Sequence, residues 1–274
     1  MDQLYKSTQK FKVRDKLQPV FFIGHGSPMN GIEQNAFSLQ WQQIGRSLEL
    51  PSAVLVISAH WLTEGTFVTA MQKPKTIHDF GGFPQALFEV QYPAPGSPFL
   101  AEETVRLITT AHVGLDHEWG LDHGAWTVVR HMFPKANVPV LQLSIDYYKP
   151  ADYHYHLARQ LFNLRKRGVL IIGSGNMIHN LRMLDWKNIH NPGFGFDWAL
   201  ELNTIFKQKI LSHDHKALLD YENLSKAAKL AIPTPDHYYP MIYSLALQDN
   251  KDTIEIFNDD YVGGSLSMTS FRYG

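Results

Sequence analysis

The 274-residue sequence contains no cysteine. That absence excludes a disulfide framework, a thiolate nucleophile and every cysteine-ligated zinc or iron–sulfur site, and it is compatible with a reducing compartment. Charge is also sparse. Asp, Glu, Lys and Arg make up 19% of the chain, the formal net charge is −1, and no basic block is longer than Arg165-Lys166-Arg167. Neither nucleic acid nor an anionic membrane surface is an expected partner. No apolar run approaches the ~18 residues of a membrane-spanning helix, and Met1–Lys16 lacks the apolar centre of a secretion signal, so the expected location is the cytoplasm. Common catalytic signatures are missing as well: there is no Gly-x-Ser-x-Gly elbow, no Gly-x-x-x-x-Gly-Lys phosphate loop and no His-Glu-x-x-His helix. Gly173-Ser174-Gly175 alone is too weak a signal for a nucleotide site.

What the chain does hold is an ample core, with 44% hydrophobic and 12% aromatic residues, and no shift of composition along its length. A flexible leader is expected over residues 1–18, followed by one domain over 19–274. Apolar runs predict buried strands at Val20–Ile23, Ala53–Ile57, Val138–Ile145 and Val169–Ile172, with further strands at Phe67–Ala70 and Thr253–Phe257 and an edge strand in the tail Gly263–Gly274. Helical spacing predicts helices over Ile32–Leu48, Pro98–Ala111, Gly124–Met132, Ala151–Arg167, Phe196–Leu211, Lys216–Leu230 and Asp236–Leu247. Strands alternating with helices indicate an α/β fold, a mostly parallel central sheet with helices on both faces. Lys73–Ser97, rich in proline, glycine and aromatics, reads as a functional loop or lid.

The conspicuous count is histidine, at 14. Position selects among them. Val20–Ile23 runs into Gly24-His25-Gly26-Ser27-Pro28, and Ala53–Ile57 ends in Ser58-Ala59-His60-Trp61. Val169–Ile172 ends in Gly173-Ser174-Gly175-Asn176, with His179 just beyond. Open α/β sheets place their chemistry at such strand ends. Two imidazoles delivered there can converge on one metal ion, and without cysteine the donors must be nitrogen and oxygen. His179 reads as a ligand or an acid/base group. His237, in Pro235-Asp236-His237-Tyr238-Tyr239-Pro240, either aims at the same ion or follows a helix cap made by Asp236. His123, in Trp119-Gly120-Leu121-Asp122-His123-Gly124, reads as a loop-borne acid/base group or as the passive neighbour of a capping Asp122. His78, in the expected lid, is placed to touch substrate rather than metal. The pairs His154/His156 and His213/His215 have ligand-like spacing but fall on a polar helix start and a surface break.

Taken together, GHGSPMN (24–30), VISAHW (56–61), TIHDFGGFPQALFEVQYPAPGSP (76–98), WGLDHGAW (119–126), PVLQLSID (139–146), IIGSGNMIHNL (171–181) and PTPDHYYP (233–240) resemble the class III extradiol ring-cleavage dioxygenases, in the branch of the 4,5-DOPA dioxygenases. The resemblance spans nearly the whole chain after the leader. It implies that His25, His60 and His237 are metal ligands, that His179 lies at or next to the metal, and that His123 is the acid/base residue. It further implies a small catechol substrate, dioxygen, and one divalent ion, with a monomer or small homo-oligomer expected. Better-known class III enzymes use two histidines and a glutamate; the matching motifs here offer histidines, a set that suits Zn(II) as well as Fe(II). A zinc-dependent hydrolase on the same scaffold is the alternative. The Gly-His-Gly-Ser strand end is also similar to one short block of the tetrapyrrole metal chelatases, and a non-catalytic metal-binding protein would keep the same histidines.

Overall fold

The computed structural model describes residues 11–274. Among the described residues ten strands follow in chain order: β1 (Val20–Gly24), β2 (Ala53–Thr63), β3 (Thr66–Thr69), β4 (Val113–Asp116), β5 (Val140–Asp146), β6 (Val169–Gly175), β7 (Ile254–Phe257), β8 (Tyr261–Val262), β9 (Leu266–Ser267) and β10 (Ser270–Tyr273). The main sheet has eight strands in the order β4-β3-β5-β2-β6-β1-β10-β7, and β8 pairs with β9 separately. Its centre is parallel, through β5–β2, β2–β6 and β6–β1. Every residue of β1, β5 and β6 is buried, as a strand covered on both faces requires.

The helices are α1 (Ala36–Ser47), α2 (Gln85–Phe88), α3 (Pro98–Leu107), α4 (His123–Met132), α5 (Ala151–Arg159), α6 (Phe162–Lys166), α7 (Asp197–Leu211), α8 (His215–Leu219), α9 (Ala228–Ala231) and α10 (Tyr239–Ala246). Strand alternation divides them between the two faces. Val20, Phe22, Leu55, Ile57 and Ile171 pack with Leu157 of α5, Phe206 of α7 and Ile242 of α10. Phe21, Ile23, Val54, Val56 and Ile172 pack with Trp41 of α1 and Trp126 and Val129 of α4. No helix among the described residues is long and apolar enough to cross a membrane.

Several boundaries differ from expectation for identifiable reasons. The tail strand β10 is interior, hydrogen-bonded between β1 and β7, so β7 is the sheet edge. β2 continues to Thr63, with a register shift against β5 between Ile57 and Leu62, so His60 lies within an irregular strand rather than after one. The helix expected over 216–230 is broken where Asp220, Asn223 and Ser225 bond locally: Asn223 Nδ2 donates to Asp220 Oδ1 at 2.7 Å, and Ser225 Oγ accepts from Ala227 N at 3.1 Å. The helix expected over 151–167 is split into α5 and α6.

Residues 1–10 of the expected leader lie outside the described residues. Within residues 11–18, Phe11 and Gln18 are buried while Lys12, Val13, Asp15 and Lys16 are exposed. Phe11 is buried and stacks on Phe99 with ring centroids 5.7 Å apart, and the fully buried Arg165 holds Gln18 O at 2.7 Å while forking onto Asp252 at 2.6 and 3.0 Å.

Candidate metal centre

The parallel strand ends and the N-terminus of α4 meet at a cluster of imidazoles. His25 follows β1, with its backbone N–H bonded to Gly175 O at the end of β6. Close approach is possible because two neighbours lack a side chain: a Cβ on Gly124 would sit 2.4 Å from Ser58 Oγ and 2.9 Å from His60, and one on Gly175 would sit 2.2 Å from His237 O. Asp122 caps α4 by accepting from Ala125 N at 3.1 Å, which places His123 in the first turn of the helix and not in a loop. Asp236, by contrast, makes no cap; α10 begins only at Tyr239, and the carboxylate takes the Nδ1–H of His237.

Five of the six histidines singled out in the sequence come together. A ring nitrogen from each of His25, His60 and His123 lies within 4.8 Å of the others, and so do a ring nitrogen of His179, one of His237 and a carboxylate oxygen of Asp236. The groups adjoin: the His237 ring is 4.9 Å from that of His60 and 5.4 Å from that of His25, and His179 stacks face to face on His237 at 3.5 Å. His78 stands apart. Its Nε2 donates to Val90 O at 3.0 Å, and its ring packs among Phe80, Phe88 and Trp126. Phe80 in turn meets the His123 ring edge-on at 5.6 Å, so the loop lies over the cluster.

Hydrogen bonding settles which nitrogens carry protons. Ser174 Oγ donates its single proton to Gly124 O at 2.6 Å, so it must accept from His25 Nδ1 at 3.0 Å. His25 is therefore the Nδ1–H tautomer, with a lone pair on Nε2. His123 Nδ1 donates to Asp79 Oδ2 at 2.9 Å, His237 Nδ1 donates to Asp236, and His60 Nδ1 faces Asp79 Oδ2 at 3.7 Å. The bonds of His25, His123 and His237 leave Nε2 as the acceptor, whereas 3.7 Å is too long for a hydrogen bond and does not fix the tautomer of His60. The Nε2 atoms of His25 and His60 lie 3.0 Å apart.

Electrostatics agree. Burial, reinforced by the neighbouring imidazoles, pushes His25 and His60 well below the usual histidine value, so both are neutral near pH 7. Burial and His237 lower His179 too. Burial acts to raise Asp79 and Asp236, but the hydrogen bonds and charge of His123 and His237 outweigh it and keep both carboxylates ionised. Asp122 moves upward, driven by full burial and by the charge of Asp79. Nitrogen donors converge in front, with anions behind two of them. That donor set fits a divalent cation: histidine ligands present one nitrogen to the ion and donate the other N–H to a carboxylate or similar acceptor.

Asp79 and Ser174 are the participants that sequence reasoning did not single out. Both stood inside quoted blocks, but nothing in local spacing shows that a carboxylate 44 positions away meets His123.

The sequence also has clear relatives. Residues 19–263 match the family described as the catalytic LigB subunit of aromatic ring-opening dioxygenase. A 4,5-DOPA dioxygenase extradiol of Escherichia coli K12 is 45% identical over 263 residues, covering 93% of this chain and 94% of the relative. A 4,5-DOPA dioxygenase extradiol of Beta vulgaris is 33% identical over 273 residues, covering 94% of this chain and 97% of that one. The crystal structure of an uncharacterized Escherichia coli K12 protein superposes with a TM-score of 0.81 at 39% identity, over 94% of this chain and 100% of the other. A histidine-lined site at the parallel strand ends and a family match running almost the length of the domain agree: the chain belongs to the catalytic LigB-subunit family and is an aromatic ring-opening dioxygenase.

Proposed function

We propose that the chain opens a catechol ring beside its two hydroxyls, using dioxygen, at one divalent ion held by His25, His60 and His237 with His179 alongside. The observation that carries this is the tautomer set: the far-side nitrogens of His25, His123 and His237 are each bonded to an acceptor, which leaves lone pairs for the centre. A bound ion would supply Lewis acidity toward the diol and, as Fe(II), the redox capacity for dioxygen.

The chain's own groups do the rest. His123 Nε2 accepts a proton from the diol and returns it as the ring opens. Phe80, with Phe88 and Trp126 behind it, covers the reacting ring and excludes water, and His78 supports that cover from the same loop. The balance closes without a reductant: one ring C–C bond next to the diol breaks, both oxygen atoms enter the product, and a muconic semialdehyde results. The names of the relatives make L-DOPA the first catechol to test. A zinc-dependent hydrolase is the second reading, favoured by donors that are all nitrogen.

The test compares oxygen uptake with L-DOPA and simpler catechols after anaerobic reconstitution with Fe(II) or Zn(II). Stoichiometric uptake with a yellow semialdehyde product is expected for the Fe(II) form, and His123→Ala should lower kcat by about 10²–10⁴-fold with the ion retained. Hydrolytic turnover by the Zn(II) form without oxygen uptake would replace this reading with the second.

A further inference from the structure

Asp79 makes more contacts with His123 than a helix cap requires. Its Oδ1 accepts the backbone N–H of His123 at 2.9 Å, one of the first-turn donors that a helix cannot satisfy internally. Its Oδ2 accepts Nδ1–H of the same residue at 2.9 Å and lies 3.7 Å from His60 Nδ1. The Asp79 side chain is 16% exposed and that of His123 is 7% exposed, so water competes little for these bonds. The next residue, Phe80, packs edge-on against the imidazole, so consecutive loop residues hold the ring by a nitrogen and by a face.

We propose that Asp79 is the positioning residue for His123, fixing its Nδ1–H tautomer so that Nε2 can take the substrate proton. The assignment rests on the role given to His123 above. A neutral imidazole has one N–H, and committing it to Asp79 leaves the lone pair on Nε2. The carboxylate also stabilises the imidazolium that forms once Nε2 has accepted a proton. Because Asp79 belongs to the loop that lies over the cluster, the proton acceptor is set only where that loop is in place.

Asp79→Asn separates positioning from capping. The backbone N–H of His123 is an obligatory donor, so the amide oxygen turns toward it, and the amide NH₂ then faces Nδ1. That nitrogen must now accept, which moves the ring proton to Nε2. Long-range ¹H–¹⁵N spectra of the metal-free, ring-labelled protein read the tautomer directly, without turnover. Nδ1–H is expected for the wild type and Nε2–H for Asp79→Asn. The melting temperature should stay within about 3 °C because the cap survives. In the Fe(II)-loaded enzyme kcat should fall by about 10²-fold with KM changed by less than about 3-fold, and Asp79→Asn should add little to His123→Ala. An unchanged tautomer, or wild-type kcat in Asp79→Asn, would overturn the proposal. If His123→Ala retained wild-type turnover while the tautomer still switched, the proton-acceptor role of His123 would fail, and the hold of Asp79 on the ring would stand.

Discussion

Two groups of buried or half-buried histidine in this molecule differ in what their second nitrogen does. His154, on α5, has both nitrogens occupied: Nε2 donates to Lys149 O at 3.2 Å and Nδ1 accepts from Tyr243 OH at 2.9 Å. His131 is equally closed, with Nε2 donating to Asn30 O at 2.7 Å and Nδ1 accepting from Gln42 at 3.2 Å. At the strand ends His25, His123 and His237 each commit one nitrogen to Ser174, Asp79 or Asp236 and keep an acceptor for the cluster. Burial does not distinguish the groups, since His25 and His154 are both essentially inaccessible. An imidazole with both nitrogens satisfied is part of the core, whereas one held on its far side with its lone pair toward other lone pairs is a ligand or a base.

The pH dependence of stability offers the larger way to break that contrast. Burial lowers His154 to about 4, against opposing bonds to Lys149 and the charge of Asp146. Its unfolded-state value is near 6.5, so between roughly pH 6.5 and 4 the unfolded chain binds a proton there that the folded chain does not. Stability contributed by neutral His154 is complete above that window and is lost as pH falls through it, by about 1.4 kcal/mol per pH unit. Denaturant titrations of the metal-loaded protein should show His154→Gln with a slope shallower by that amount and with metal affinity unchanged. A variant that lost the metal would place His154 in the wrong group.

Ser174→Ala is the gentler probe. It removes the acceptor that holds Nδ1–H of His25 and the donor to Gly124 O, without touching a lone pair on the centre. Metal affinity should drop about 10–100-fold, as for other outer partners of histidine ligands, measured by competition with a chelating dye. Wild-type affinity would show that the tautomer of His25 is set elsewhere.

Much of this organisation was legible in the sequence. Continuous apolar runs mark β1, β2, β5 and β6 because those strands are covered on both faces, and the runs of β1, β2 and β6 end where an imidazole or a glycine turn begins. β4 was missed because Val113–Asp116 is a short edge strand with Leu115 exposed, which leaves no apolar run to read. β10 was recognised as a strand but placed at the edge, since alternation reveals a strand and not its neighbours. At the site, strand ends pointed to His25, His60 and His179, and flanking motifs pointed to His123 and His237. Asp79 and Ser174 were not separable from their blocks. Their role lies in partners 44 and 149 positions away, and only the assembled sheet brings those together.

The central claim, one ion held by inward-facing imidazole lone pairs, is tested most directly by metal stoichiometry with X-ray absorption on the wild type and on His25→Ala. The wild type should bind one Fe(II) or Zn(II) per chain with imidazole scattering and no sulfur, and His25→Ala should lose that ion while remaining folded. An ion still bound in His25→Ala with unchanged imidazole scattering would contradict the account.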